Sequence, residues 1–199
     1  MPEIVKLEQF NKDDLNSVLV GYTSTRKYTI EKTETKNQIT FRLDLVPLER
    51  VYVKKWFLTN EVDHYRRIVP TGYSIGAYVD GKIIGMAIAE NLDWNRSLFI
   101  WEFHVREGYR RQKVGTRMMM ELEKEARQAN LRIMVCEAQN TNADAIDFYK
   151  HCGFSVEGID LHYYDDLDSR NEFAIYMKKM LMSKNQNHLI TDCKSRLLY

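Results

Sequence analysis

Between two patterned stretches the chain reads Val105-Arg-Glu-Gly-Tyr-Arg-Arg-Gln-Lys-Val-Gly-Thr116. Arg110, Arg111 and Lys113 crowd the approach to a helix, and Gly115 lets a backbone come close. The first N–H groups of a helix have no partner inside it, and the macrodipole adds partial positive charge. A pyrophosphate is the natural ligand of such a turn. A solvated basic turn ahead of an ordinary helix is the plain alternative. Just upstream, alternation along Leu98 to Arg106 sets Glu102, His104 and Arg106 on one face of a strand and Phe99, Trp101, Phe103 and Val105 on the other. Glu102 and His104, a carboxylate and an imidazole, then stand about 7 Å apart along the strand.

These groups need a scaffold. A short helix is expected near Asn11 to Val20, and Tyr28 to Val46 reads as two β-rich runs around the turn Thr35-Lys36-Asn37. Pro47 opens a stretch, Leu48 to Leu58, whose Leu48, Val51, Lys55 and Leu58 have helical spacing. Tyr73 to Val79 and Lys82 to Ala89 flank Asp80-Gly81, a dipeptide that tolerates the positive φ angles of tight hairpins. A polar turn at Asn91 to Asn95 leads into the strand carrying Glu102. Val114 to Ala129 repeats Val114, Met118, Leu122 and Ala126 as an amphipathic helix. Leu131 to Ala138 is a strand, apolar in its first half and expected to be buried on both faces. Asn142 to Cys152 is a helix closed by Gly153, and Phe154 to Gly158 and Glu172 to Met180 complete the sheet. The order predicts an α/β (α+β) fold, a mixed, mostly antiparallel sheet with helices on both faces. A single domain over 1–182 is expected, with a mobile or loosely docked tail over 183–199.

Composition excludes several classes. The 199 residues are 44% hydrophobic, and 29 Lys plus Arg against 28 Asp plus Glu leave a formal charge of +1. No global field points to nucleic acid or an acidic membrane, so a charged ligand must be handled locally. No apolar run approaches the roughly 20 residues that span a bilayer. The N-terminus alternates apolar and charged residues, unlike a signal peptide. Cys136, Cys152 and Cys193 are odd in number and widely spaced. They fit reduced thiols of a cytoplasmic protein better than a disulfide framework or a metal site. Asn95-Arg96-Ser97 is then a chance glycosylation match.

The basic turn resembles the acetyl-CoA pyrophosphate loop of GNAT acetyltransferases, Arg/Gln-x-x-Gly-x-Gly/Ala, with Arg110 at its first position and Gly115 at its last. Lys113 stands where that family usually has glycine; the turn is expected to stay right-handed there, with the ammonium reaching a phosphate. A second block, Asn142-Ala-Asp-Ala145-Ile-Asp-Phe-Tyr149-Lys-His-Cys-Gly153-Phe154, resembles the family's Asn-x-x-Ala-x-x-x-Tyr-x-x-x-Gly-Phe without a gap. The hairpin Val79 to Met86 resembles the paired strands that precede the CoA-binding strand. Within the superfamily the likeness is to streptothricin acetyltransferases, through Trp94-Asn95-Arg96, Phe99 to Val105, Glu137-Ala-Gln-Asn140 and Phe148 to Phe154, and more weakly over residues 28–176.

The resemblance implies a GNAT fold and an acetyl-CoA-dependent N-acetyltransferase acting on a primary amine of a streptothricin-like antibiotic or another small molecule. It implies cofactor contacts from Phe103, Val105, Arg110, Arg111, Gln112, Lys113, Val114, Gly115, Thr116, Asn142, Ala145 and Tyr149, with no metal. Tyr149 would protonate the departing thiolate, and a backbone N–H on the strand ending at Val105 would polarise the thioester carbonyl. Glu102 or His104 would take the amine's proton, directly or through water; alternatively His104 packs under the pantetheine arm and Glu102 anchors an ammonium or pairs with a neighbouring strand. The acidic run Tyr163-Tyr-Asp-Asp-Leu-Asp168 is either part of the acceptor site or a solvated loop. Neither a nucleic-acid nor a membrane partner is expected, and a homodimer is compatible with the sequence. Two other functions share these CoA residues: acetylation of protein amines, and acyl-CoA binding without catalysis.

Overall fold

Asp80 and Gly81 both take positive φ, 50° and 72°, and fold Ile75–Val79 (β4) back onto Lys82–Leu92 (β5). A second reversal at residues 93–96 leads into Ser97–Val105 (β6). Three antiparallel strands thus come from consecutive sequence. The structure, a computed structural model, describes residues 1–19, 21–56, 61–164 and 172–181.

Around this meander the sheet grows to seven strands. Glu3–Lys6 (β1) pairs with β4 at one edge, and Ile133–Gln139 (β7), Ala174–Met180 (β9) and Ser155–Asp160 (β8) extend the other. The order is β1-β4-β5-β6-β7-β9-β8, antiparallel except where β6 and β7 run parallel. Val114–Gln128 (α3) makes the crossover that a parallel pair needs. Its Val114, Met118, Leu122 and Ala126 are all buried, as their four-residue recurrence predicts. Ala143–His151 (α4) packs on the same face, and Gly153 ends it at φ 90°. Lys12–Val18 (α1), capped by the Asn11 side chain, covers the opposite face together with Val62–Ile68 (α2). Each face has its own apolar core: Leu15, Val18, Tyr65, Ile68 and Ile88 on the α1–α2 side, Met118, Leu122, Met134, Ile146 and Ile175 on the α3–α4 side.

Tyr22–Glu34 (β2) and Ile39–Lys54 (β3) form a separate two-stranded ribbon. The expected turn closes it, Thr35 N–H donating to the Gln38 carbonyl. The helix expected over Leu48 to Leu58 is not formed: β3 runs through Pro47 to Lys54, and Leu58 lies outside the described residues. Pro47 sits opposite Arg26, where the register shifts between Ser24 and Arg26, so its missing N–H falls at an irregularity of the ladder. Beyond it Val51, Tyr52 and Val53 prefer the strand, and cross-strand pairing overrides the helical spacing. Asn140 fastens the ribbon to the sheet. Its amide donates to the Tyr28 carbonyl and its Oδ1 accepts from Phe173 N–H.

Strand β6 is irregular where it matters. Ile88 pairs with Glu102 but Ala89 pairs with Ile100, so Trp101 is an extra residue, a bulge. Leu98 and Ile100 belong to the α3–α4 core, and Phe103 and Val105 pack on that same core one phase later. The expected alternation therefore fails for Phe99 and Trp101. Their rings lie 4.5 Å apart, with His64 of α2 5.0 Å from Trp101. They share the α2 face with Glu102, whose carboxylate meets Tyr65 of α2.

Among the described residues no helix is long and apolar enough to cross a membrane. Leu122 is fully buried, so Leu122→Ala should destabilise the fold by about 2–5 kcal/mol. Urea denaturation with an unchanged m-value would show it.

Candidate active site

Val105 ends β6, residues Glu107–Tyr109 make a single 3₁₀ turn, and the chain then enters α3 through a strained loop. Arg111 and Lys113 both take left-handed φ, 61° and 62°. The right-handed geometry expected at Lys113 is thus not observed. A left-handed residue turns the chain sharply and lets neighbouring N–H groups converge, at a strain of roughly 1–2 kcal/mol for a side chain in that region. Lys113 is also the N-cap of α3, and no side chain caps the helix. The N–H groups of Val114, Gly115 and Thr116 are left for an external acceptor.

The cations of this loop divide. Arg110 is a brace, its Nε donating to the Val105 carbonyl at 2.9 Å and its Nη2 to the Gly21 carbonyl at 3.3 Å. Gln112 donates to the Gly108 carbonyl. Arg111 and Lys113 are exposed and make no side-chain hydrogen bond or ion pair with other described residues. Gly115 is needed for space: a Cβ there would stand 3.3 Å from the Phe148 ring and 3.5 Å from Phe103. Phe103 and Phe148 stack at 5.4 Å, with Tyr149 6.3 Å from Phe103. Val114 is buried in the core that these rings pack on.

Strands β6 and β7 part beside that cluster. Their parallel pairing runs from Ser97 with Ile133 to Ile100 with Cys136 and stops. Past it β6 continues to Val105 paired with β5, and β7 to Gln139 paired with β9. Tyr149, on α4, is 7% exposed, and its hydroxyl makes no hydrogen bond with the described residues. Burial first, then electrostatic repulsion from Cys136, Glu137 and Glu102 in their ionised forms, pushes its pKa well above the ordinary phenol value. Asn142 caps α4, its Oδ1 accepting from Ala145 N–H at 3.3 Å. Ala145 packs on the same core.

The α2 side is acidic. Glu102 Oε1 accepts from the Tyr65 hydroxyl at 2.6 Å, and Oε2 lies 2.5 Å from His104 Nε2. Glu137 of β7 accepts from the Tyr164 hydroxyl through Oε1. Burial, with the Glu102 charge adding to it against the Tyr164 hydrogen bond, raises Glu137 to about 7. No Lys or Arg among the described residues pairs with either carboxylate. Beyond them the ribbon contributes Tyr22, bonded to Gln139 and Thr141, and Tyr52 and Lys54, both bonded to Glu172.

The structure thus brings together Glu102, His104 and Tyr149 and adds Tyr65, Glu137 and Tyr164. Glu137 had a signal of its own, as the lone charge in the buried strand Ile133-Met-Val-Cys-Glu-Ala-Gln139. Tyr65 had none, since α2 carries no motif. From the acidic run, Tyr164 reaches the site; Asp165 to Asp168, like Cys193 and the tail 183–199, lie outside the described residues. No group of three or more His, Cys, Asp or Glu among the described residues could hold a metal ion.

A mixed sheet whose parallel strands part beside an uncapped, cation-flanked helix defines a class. The chain matches the Acetyltransferase (GNAT) family over residues 38–154 and belongs to it. It is 33% identical over 107 residues to a streptothricin acetyltransferase of Streptomyces lavendulae, which is 54% of this chain and 56% of the relative. To streptothricin acetyltransferase A of Bacillus subtilis (strain 168) it is 27% identical over 99 residues, 50% and 57% of the two chains. The chain thus spans about half the length of the curated relatives it matches. Two solved structures share the fold. A nourseothricin acetyltransferase superposes with TM-score 0.68 at 24% identity over 91% of this chain and 99% of that one. A putative streptothricin acetyltransferase from Bacillus anthracis, in complex with acetyl coenzyme A, gives 0.67 at 22% identity over 89% and 99%.

The strain at Lys113 is measurable. Glycine there removes about 1–2 kcal/mol of left-handed strain and restores about 0.4–1 kcal/mol of unfolded-chain freedom. Lys113→Gly should therefore be neutral to about 1 kcal/mol more stable in thermal unfolding; a clear loss would show that the side chain itself holds the loop.

Proposed function

We propose that the protein is an acetyl-CoA-dependent N-acetyltransferase acting on a primary amine of a small molecule, with streptothricin-like antibiotics the first acceptors to test. One observation carries the proposal. The gap between β6 and β7 has an uncapped helix N-terminus with two exposed cations at one end and, on its α2 side, two carboxylates that no Lys or Arg among the described residues pairs with. An anionic donor and a cationic acceptor would meet there.

The N–H groups of Val114, Gly115 and Thr116, with Arg111 and Lys113, would hold the pyrophosphate, and Gln112 and Arg110 would keep the loop in shape. Phe103, Val105, Asn142 and Ala145 line the route of the pantetheine arm, and the chemistry supplied by acetyl-CoA is an acyl group on a good leaving thiol. A backbone N–H of β6 toward Val105 would polarise the carbonyl oxygen. The acceptor must shed a proton, because an ammonium of pKa near 10 is no nucleophile; the cluster of Glu102 and His104 lies on the side from which it would enter. Tyr149, kept neutral by its burial, would give its proton to the sulfur. The free thiols Cys136 and Cys152 favour a reducing, cytoplasmic setting.

Incubation with acetyl-CoA and a panel of amines that includes streptothricin, read as an acetyl mass shift, tests the proposal. Acetyl-CoA should also raise the melting temperature, as a ligand selective for the folded state does. Acetyl-CoA binding without any transfer would leave a non-catalytic binding module. Tyr149→Phe keeps the packing ring and removes the hydroxyl. It should lower single-turnover kcat by at least about tenfold while leaving KM for acetyl-CoA nearly unchanged. Equal single-turnover rates would make Tyr149 a packing residue.

A further inference from the structure

We infer that Glu137 takes the acceptor's proton, that Glu102 anchors the same ammonium, and that Tyr164 is the positioning residue that holds the Glu137 carboxylate ready. This rests on the acetyltransferase reading above.

The two carboxylates are not equivalent. Glu102 has both oxygens committed, Oε1 to the Tyr65 hydroxyl and Oε2 to His104. Glu137 has one oxygen on Tyr164, and its other oxygen has no hydrogen-bond partner among the described residues. An open oxygen is what a proton acceptor needs. Position agrees with this, since Glu137 is the first β7 residue past the last pair, Ile100 with Cys136. Tyr149, the thiolate's donor, feels the charges of both Glu137 and Glu102. Proton acceptor, anchor and proton donor thus share one gap.

Proton affinity points the same way. Glu137 is raised to about 7, by burial and by Glu102, whereas Tyr164 pulls it down. A base serves best when its pKa lies near the working pH. The titratable groups around it are Glu102 of β6, the neighbouring Cys136 of β7, Tyr149 of α4, Tyr22 of β2, Tyr176 of β9, and Tyr163 and Tyr164; burial keeps the Cys136 thiol neutral. The tyrosines are all shifted upward and stay neutral, so Glu102 supplies the negative charge.

The step balances. The bound ammonium gives one proton to Glu137, and its lone pair forms the C–N bond as the C–S bond breaks. The nitrogen loses a further proton as the amide forms, and this replaces the one Tyr149 gives to the thiolate. Glu137 returns its proton to solvent, for a net release of one per turnover.

Glu137 acts as a carboxylate, so the rate should rise with pH through about 7. Tyr164→Phe removes the hydrogen bond that favours the ionised form, so this limb should move to higher pH, with the rate approaching wild type above it. Glu102→Gln removes the like charge, so the limb should move to lower pH while KM for the acceptor rises more than kcat falls. Glu137→Gln should lose the limb and about 10²–10⁴-fold of the rate. The measurements are acetyl transfer to streptothricin at saturating acetyl-CoA across pH, and ¹³C titration of the glutamate carboxyls in the resting protein. A carboxyl titrating near 7 that vanishes in Glu137→Gln and moves upward in Tyr164→Phe is the expected result. Transfer that is lowered by the same factor at every pH in Tyr164→Phe, or a Glu137→Gln enzyme with its limb intact, would overturn this inference alone. Absence of transfer to any amine would overturn it together with the acetyltransferase reading.

Discussion

The bulge at Trp101 is the constraint on which the site depends. With regular alternation Leu98, Ile100, Glu102 and His104 would all point at the α3–α4 core, and two ionisable groups would enter an apolar interior. One extra residue shifts the phase. Leu98 and Ile100 stay in the core, Phe103 and Val105 return to it, and Glu102 and His104 go to the α2 face, where Tyr65 is waiting. The β6–β7 ladder also ends beside this irregularity, at Ile100 with Cys136. The phase shift that delivers the carboxylate therefore lies where the sheet opens.

Everything at the other end of the gap serves to present backbone N–H groups. Two side-chain-bearing residues with left-handed φ are expensive for a loop of this length, and they persist because neighbours over-determine the path. Arg110 straps the loop to the Val105 and Gly21 carbonyls, Gln112 closes it onto Gly108, and Gly115 lets α3 settle against Phe148. The left-handed turn at Lys113 supplies the geometry usually given to glycine, and the lysine keeps its charge at the loop's surface. Rigidity here keeps the donors in place, so the diphosphate of the proposed cofactor would require no rearrangement of them.

Legibility from sequence followed how local each determinant is. The hairpin at Asp80-Gly81, the amphipathic α3 and the cap at Gly153 are each specified within a few residues, and each formed where the pattern put it. Pro47 misled because a proline at a ladder irregularity and a proline at a helix start look the same in one dimension. The opposing residue, Arg26, makes the difference, and it lies far away in the chain. The bulge was hidden for a related reason. An inserted residue leaves composition untouched, and only the partners Ile88 and Ala89 reveal it. The basic turn is contiguous over a dozen residues, so its motif is legible although the left-handed φ at Lys113 is not, whereas Tyr65, Glu137 and Tyr164 come from separate parts of the chain and meet only when it folds.

That contrast bears on how such a site can change its acceptor. On the proposed reading the donor end is one continuous segment whose backbone would do the work, so most substitutions there would damage geometry common to every substrate. The acceptor end is assembled from α2, β6, β7 and the segment after β8, each adding one or two side chains. Two carboxylates at one gap, with no Lys or Arg partner among the described residues, are met in the resting protein by tyrosine hydroxyls and His104. A cationic ligand would relieve the repulsion between them in a way a neutral one could not, so on the proposed reading charge would select the acceptor before shape. On that reading shape would be read by aromatic side chains such as Trp101, held by its Nε1 on Glu90, and Tyr22, beside Tyr52 and Trp56. These side chains stand on the bulge and on the ribbon, where exchange disturbs neither core.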